Sequence, residues 1–440
     1  MKSKLNLLLL GMLSATAIVA CGSGSSNNSS PSSNSSLVVG GYAYVPNTIE
    51  STIYNMTPVW WDSTKKIHLF PTTIAGFEEY YFCGGSISGL AASGKNTLAA
   101  GTVTTCIGPV NDPIVWIHAG YWVNGESFVA LNQNNFPLAT ANSILNYNGA
   151  ILVGGAMASD TSLEPHPTIW NNNAINFLPL PESAQGGAMV NSLTIDANND
   201  LYAGGLVKNS LGVIRAIYWK VNLNDIKNSQ LHEFTLVDTN GEELIASGPV
   251  MVSVSPSRIV SVSANYKNSL VINRGVVWQQ NGNTFIPIGF GSQPANGLQE
   301  AYSSVVNLKN INGQTMVLGG IANQNNYGYE SPAYGVRNNI YSLTTVAPAI
   351  NIGEATDAVS IGNSNYISGY SFARIESAST TLYSVASYWN NNLRTDLPGL
   401  NTNCPSGSIC RGTTYNLTPF ANFYNMNANV ESNNVNLTES

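Results

Sequence analysis

The sequence predicts an all-β protein, a β-propeller of seven four-stranded blades whose ring is closed by an N-terminal strand. Three observations lead to this prediction: the composition, a repeated module, and two incomplete modules at the chain ends. Only 9% of the 440 residues are charged, whereas there are 57 asparagines, 40 glycines and 21 tyrosines. Soluble domains are ordinarily about a quarter charged. This mixture is poor in helix formers and rich in strand and turn formers.

The repeated module justifies the blades. A copy contains a strand with a tryptophan, a strand ending near Leu-Pro, a middle strand, and a strand ending in Gly-Gly or its equivalent, as in 151–155 and 201–205. In one module the tryptophan is lost, and Val336 stands at its place. A four-stranded repeat of about fifty residues is typical of propeller blades. The markers recur at intervals of 48 to 61 residues and predict seven modules, although six or eight blades would also be compatible with them. These markers are Trp61, Trp122, Trp170, Trp219, Trp278, Val336 and Trp389.

The two chain ends carry half-modules. Residues 37–41 form a Gly-Gly strand without a preceding Trp strand, and the last module has a Trp strand but no Gly-Gly strand after Cys410. We therefore expect the N-terminal strand to complete the last blade, which would leave no open sheet edge between them. The predicted propeller covers residues 37–420, and residues 421–440 are expected to be a polar, mobile tail.

The Gly-Gly doublets followed by aromatic residues, as in Gly204-Gly205 and Tyr218-Trp219, resemble the degenerate repeats of kelch-like propellers. The resemblance covers residues 37–400. It implies a propeller that binds a partner more often than it catalyses one defined reaction.

The N-terminus predicts export. Lys2 and Lys4 precede an apolar stretch that is too short to span a bilayer, so residues 1–20 have the pattern of a signal peptide. Residues 18–21, Ile-Val-Ala-Cys, resemble the lipobox of bacterial lipoproteins, which implies cleavage before Cys21 and lipidation of that residue. Gly22, in place of Asp, favours the outer over the inner membrane. Residues 21–36 are a Ser/Asn-rich tether.

The other four cysteines predict disulfides. An even number of cysteines in an exported protein favours disulfide bonds, and four allow three connectivities. We favour the local pairs Cys83 with Cys106 and Cys404 with Cys410. A zinc site is the alternative, but neither pair has CxxC spacing and neither has a nearby histidine.

Only weak candidate sites are visible. Glu164 and His166 lie together in a loop where acid–base chemistry or binding could occur. Tyr327 and Tyr329 lie in an Asn-rich loop, and such loops suit adaptable recognition. Residues 196–200, Asp-Ala-Asn-Asn-Asp, are similar to the start of a calcium loop but lack its glycine and its final glutamate, so we interpret them as a turn. We predict no catalytic residue, metal or cofactor.

The predicted function is binding at the cell envelope. The membrane is one partner, through the N-terminal lipid, and the other is an unknown protein or glycan. With 17 Lys and Arg against 24 Asp and Glu, the chain is too acidic for a nucleic-acid binder. Two alternatives stay open: a propeller-based envelope enzyme acting on glycans (a hydrolase, lyase or oxidase), and an envelope assembly or structural factor.

Overall fold

The structure is a computed structural model, and the strands, contacts and sites below belong to the part of the chain that it describes. The described residues are 35–46, 54–93, 96–108, 114–159, 164–237, 241–267, 273–290, 303–322, 330–336, 339–343, 349–361, 364–374, 382–397 and 430–439. Within these ranges, no helix is long and apolar enough to cross a membrane.

The described strands form seven four-stranded antiparallel blades, so the predicted fold class is confirmed. Blade 1 contains, from the innermost strand outward, β28 (Val430–Glu439), β1 (Ser35–Pro46), β2 (Tyr54–Trp61) and β3 (Ile67–Leu69). Blade 2 contains β4 (Tyr81–Ser93), β5 (Asn96–Ile107), β6 (Ile114–Val123) and β7 (Phe128–Ala130). Blade 3 contains β8 (Leu138–Tyr147), β9 (Ala150–Ala158), β10 (His166–Asn171) and β11 (Ala174–Phe177). A single parallel bridge, Ile117 to Leu138, links blades 2 and 3.

The other four blades follow in chain order, each with its innermost strand first. Blade 4 contains β12 (Ala184–Ile195), β13 (Leu201–Asn209), β14 (Ile214–Val221) and β15 (Gln230–Phe234), with the 3-10 helix Ile226–Asn228 before its last strand. Blade 5 contains β16 (Ile245–Val254), β17 (Val260–Lys267), β18 (Asn273–Asn281) and β19 (Thr284–Phe290). Blade 6 contains β20 (Ser303–Ile311), β21 (Gln314–Ala322), β22 (Glu330–Val336) and β23 (Asn339–Ser342). Blade 7 contains β24 (Ala349–Ile361), β25 (Ser364–Arg374), β26 (Leu382–Asn390) and β27 (Leu393–Asp396).

The ring is closed by the C-terminal strand, which corrects the detail of the prediction. Strand β28 pairs with β1 in blade 1 and contacts the innermost strands β24 and β4 of both neighbouring blades. Blade 7 is complete without the N-terminus. The N-terminal Gly-Gly strand instead pairs with the Trp strand that follows it, with Val39 opposite Trp61. Residues 430–439 are therefore a paired strand and not part of a mobile tail.

The seven predicted markers all lie on the third strand of a blade, where most of them fill the space between blades. Trp61, Trp122, Trp170, Trp219 and Trp389 are completely buried. The Trp219 ring belongs to a cluster with Leu145 and Leu152 of blade 3, and its indole N–H donates to the carbonyl of Pro179, 2.8 Å away. Trp122 and Trp170 likewise bury a large ring while the indole N–H donates to a backbone carbonyl.

The glycines on the second strand allow the blade to form. A Cβ atom on Gly155 would overlap the carbonyl oxygen of Thr140, and one on Gly205 would overlap that of Met189. In both cases the overlapping atom belongs to the neighbouring innermost strand. The doublets are therefore structural, as their recurrence predicts.

A set of polar side chains, here called the belt, joins each of blades 2 to 6 to the innermost strand of the blade that follows it. The innermost strands of blades 3, 4 and 6 carry β-bulges after Ala141, Val190 and Val305. A bulge interrupts the ladder of backbone hydrogen bonds. In each case a polar side chain of the preceding blade donates to the carbonyl beside the bulge. The belt residues are Ser88, Asn142, Ser192, Asn265 and Asn307, which bind the carbonyls of Ala141, Val190, Val250, Val305 and Thr356 in turn.

Candidate functional site

The predicted cysteine pairing can be tested for one pair. Cys83 on β4 and Cys106 on β5 form a disulfide with Cα atoms 6.0 Å apart, a separation typical of disulfides. Cys21, Cys404, Cys410, Tyr327 and Tyr329 lie outside the described residues. Lipidation, the second disulfide and the tyrosine loop therefore stay predictions.

The histidine candidate lies in an aromatic cluster. His166 is the first residue of β10 and is half-buried between Phe136 and Phe177, whose ring centroids lie 5.7 and 5.5 Å from its own. Glu164 is exposed just before the strand. A role in binding for these two residues stays a prediction.

The loop at residues 196–200 is a turn, as predicted. One carboxylate oxygen of Asp196 accepts hydrogen bonds from the backbone N–H groups of Asn198 and Asp200, both at 2.9 Å. The Asp200 carboxylate lies 2.7 Å from Lys220 Nζ and 3.2 Å from an Arg258 guanidinium nitrogen. The Asp200 carboxylate is therefore engaged in ion pairs with both cations.

One cavity in the described part of the chain is a groove between blades 3 and 4, at the end of the blades where the hairpin turns lie. Its volume is about 630 Å³, which is within the range of small-molecule sites. The turns β8–β9, β10–β11 and β12–β13 and the β14–β15 connection supply its walls. Its lining residues are Tyr147, Asn148, Ala150, Asn171, Asn199, Asp200, Leu201, Lys220, Val221, Asn222, Leu223, Asn224, Asn228 and Gln230.

Five amide side chains in the groove are available to a ligand. Those of Asn148, Asn171, Asn199, Asn224 and Gln230 make no hydrogen bond to any residue that the structure describes. Each primary amide has two N–H donors and a carbonyl acceptor. The groove therefore presents many hydrogen-bond donors and acceptors that no described residue binds.

Two further amides shape the groove wall instead. The side-chain oxygen of Asn222 accepts hydrogen bonds from the backbone N–H groups of Asn224 and Asp225, and Asn228 donates to the Asp225 carboxylate at 2.6 Å. These contacts hold the β14–β15 connection in its turn conformation, as Asn side chains commonly do.

The electrostatics of the groove are balanced. Its only charged lining residues in the described chain are Asp200 and Lys220, which pair with each other. The Lys220 ammonium also lies over the Tyr202 ring, 5.8 Å from its centroid. Burial, together with the nearby Asp196 and Asp200 carboxylates, raises the pKa of Tyr202 to about 12. The Tyr202 phenol is therefore neutral at physiological pH, and the ion pair leaves no net charge in the groove.

A second polar cluster lies between blades 6 and 7 and is built from ionisable groups. The Glu354 carboxylate accepts hydrogen bonds from Ser304 Oγ and the Tyr370 hydroxyl, both at 3.0 Å. Burial raises the pKa of Glu354 above its ordinary value. Farther along the same two innermost strands, Lys309 Nζ lies 2.9 Å from the buried Asp357 carboxylate. These contacts link the two blades.

Sequence reasoning missed the groove because its residues look like ordinary turn residues. The Asn runs at 171–173 and 198–199 follow strands in two successive modules, and a turn accounts for each run separately. A usable signal existed in the module spacing, which places these turns at the same end of adjacent blades. Which amides would lack a protein partner could not be deduced in this way.

No family model and no curated protein matches the chain. Among solved structures, the chain is similar to a protein of unknown function from Dyadobacter fermentans, with 11% identity and a TM-score of 0.44 over 67% of this chain and 91% of that one. It is also similar to an arabinanase from Bacillus subtilis, with 11% identity and a TM-score of 0.31 over 57% and 92%. A third similar structure is the β-propeller domain of the Trilobed protease from Pyrococcus furiosus, with 7% identity and a TM-score of 0.36 over 72% of this chain and 98% of that one.

Proposed function

We propose that this protein is a lipid-anchored, exported binding module that holds a protein or glycan of the cell envelope in the groove between blades 3 and 4. The lipobox ending at Cys21 and the polar tether after it support the anchoring. Mass spectrometry of the mature N-terminus tests this part, and an unmodified Cys21 would contradict it.

The groove supports binding, and its five uncommitted amides carry the proposal. Amides are adaptable hydrogen-bonding groups, and loops and strand ends held by a folded scaffold are common binding positions. Catalysis would require at least two titratable groups that converge on a substrate. Asp200 and Lys220, the only charged lining residues in the described chain, neutralise each other.

A retention experiment tests the groove. The full chain with Cys21→Ala, which removes the anchor, is added to isolated cell envelopes, and the bound fraction is measured. The triple variant Asn171→Ala/Asn224→Ala/Gln230→Ala removes three ligand-facing amides at positions without a positive φ. We expect it to lower the apparent affinity at least tenfold, since each lost hydrogen bond costs about 0.5–1.5 kcal/mol.

The matched control is Asn283→Ala. Asn283 is an exposed asparagine in the β18–β19 turn of blade 5, outside the groove. This variant should be retained on envelopes like the parent. If the triple variant is also retained like the parent, the groove is not the binding site and the proposal is wrong.

A further inference from the structure

We infer that the ligand of the groove is a short, uncharged oligosaccharide. This inference rests on the proposed binding role of the groove and assigns the chemical class of its ligand. Three properties of the groove lead to it: the kind of hydrogen-bonding group, the charge balance, and the shape of the wall.

The hydrogen-bonding groups match hydroxyls. A sugar hydroxyl donates one hydrogen bond and accepts others, so its best partner is a group that also does both. The five uncommitted side chains, Asn148, Asn171, Asn199, Asn224 and Gln230, are all of this kind. A ligand with only acceptors, such as a phosphate, would leave half of these amide groups without a partner, at a cost if they are desolvated.

The charge balance excludes a strongly charged ligand. Lys220 could attract a carboxylate or sulfate, but Asp200 lies 2.7 Å from its ammonium. Arg258, which also contacts Asp200, is likewise engaged, at 3.2 Å from Asp200 and 3.4 Å from Asp196. An anionic ligand would have to compete with these carboxylates, and a cationic one with Lys220 and Arg258.

The wall offers apolar surface beside the amides, which is the arrangement that a pyranose ring requires. Tyr147 is half-buried, and its hydroxyl donates to the backbone carbonyl of Asn199 at 2.9 Å, which fixes the ring in the wall. Leu223 and Ala150 lie partly exposed in the same lining. The C–H faces of a sugar can pack on these groups while its hydroxyls meet the amides.

The position of the groove argues against an extended peptide. Peptides commonly add to the free edge of a sheet through backbone hydrogen bonds. The lining here comes largely from hairpin turns and one strand connection, and the free blade edges are the outermost strands. Among the lining residues, only Gln230, the first residue of β15, belongs to an outermost strand. The groove therefore offers no continuous sheet edge to which an extended peptide could add.

Calorimetric titration of the full chain carrying Cys21→Ala with three probes tests the inference. The probes are a set of neutral hexose oligosaccharides, an oligouronate of similar length, and a sulfated oligosaccharide. We expect binding to a member of the neutral set, with an affinity at least tenfold above that for both acidic probes. The triple variant Asn171→Ala/Asn224→Ala/Gln230→Ala should lose at least tenfold in affinity, and Asn283→Ala should not change.

A charge variant sharpens the test. Asp200→Asn keeps the shape of the side chain but removes the countercharge of Lys220. We expect this variant to gain affinity for the oligouronate, by about threefold or more, because the ammonium becomes available to the ligand carboxylate. Asp200→Asn combined with Lys220→Gln should lose that gain.

The outcomes separate the two proposals. The oligosaccharide inference is wrong if no neutral probe binds or if the acidic probes bind better. In that case the binding role of the groove still stands, provided that retention on envelopes depends on the three amides. If neither probe binding nor envelope retention responds to the triple variant, both are wrong.

Discussion

The belt and the groove use the same side chain in opposite ways. In the belt, Asn142 and Asn265 are buried, and each amide binds the backbone of the next blade. In the groove, Asn148 and Asn224 are exposed, and their amides bind no residue that the structure describes. The difference shows that the environment, and not the residue type, decides whether an asparagine stabilises the fold or is available to a ligand.

The physical reason is the cost of leaving an amide unpaired. A buried amide without a partner costs roughly 1–3 kcal/mol, whereas an exposed amide is bound to water and costs almost nothing. The belt amides must therefore be paired for the ring to be stable. The groove amides can exchange water for a ligand without a change in the fold.

The largest effect expected from this comparison is the loss of a belt residue. Asn265 donates to the Val305 carbonyl at 2.9 Å and accepts from the Val305 N–H at 2.6 Å. Asn265→Ala would leave both backbone groups of the buried Val305 without their partner. We expect the free energy of unfolding to fall by roughly 2–5 kcal/mol, and the melting temperature measured by scanning calorimetry to fall with it.

The exposed Asn283→Ala variant is the comparison for this measurement, and we expect its free energy of unfolding to change by no more than about 0.5 kcal/mol. A melting temperature of Asn265→Ala equal to that of Asn283→Ala would show that water replaces the belt contact at no cost. The distinction between belt and groove would then fail.

The fold was predictable because its signals recur. Trp219 and Trp389 are 170 residues apart, yet each marks the third strand of its blade. Once these repeated positions are recognised, the strands between them can be predicted from the module pattern. The belt was not predictable in this way. Whether Asn142 is buried depends on the bulge after Ala141 and on a carbonyl in the next blade, and neither leaves a mark in the local pattern.

The closing strand shows the same limit. Val435 and Leu437 are the only alternating apolar pair in β28, with asparagines around them. So short a signal resembles a polar tail, although the strand is specified by the edge that β1 would otherwise leave open. Long-range pairing decided the structure here, and local propensity did not.

A smaller effect on stability, dependent on pH, is expected at Glu354, in the ionisable cluster between blades 6 and 7. The pKa of Glu354 is raised by burial, so the folded state favours its protonated form. Its contribution to stability is full below the unfolded pKa of 4.5 and is lost as the pH rises through the folded pKa. The variant Glu354→Gln should thus melt higher than the parent at pH 8 and should not show this gain at pH 4.

Both proteins are compared at each pH, and both contain Tyr370 and the pair of Lys309 with Asp357. An unchanged difference between the two melting temperatures from pH 4 to pH 8 would contradict a raised pKa at Glu354.

The smallest effect on stability should come from the groove itself, where the largest effect on binding is expected. The triple variant Asn171→Ala/Asn224→Ala/Gln230→Ala removes amides that are hydrogen-bonded to no described residue. We expect its free energy of unfolding to match that of the parent within about 0.5 kcal/mol. A neutral oligosaccharide that binds should raise the melting temperature of the parent but not of the variant, because only a folded protein with an intact groove gains from the ligand. A large drop in stability without ligand would mean that these amides support the fold after all, and the groove would then belong with the belt.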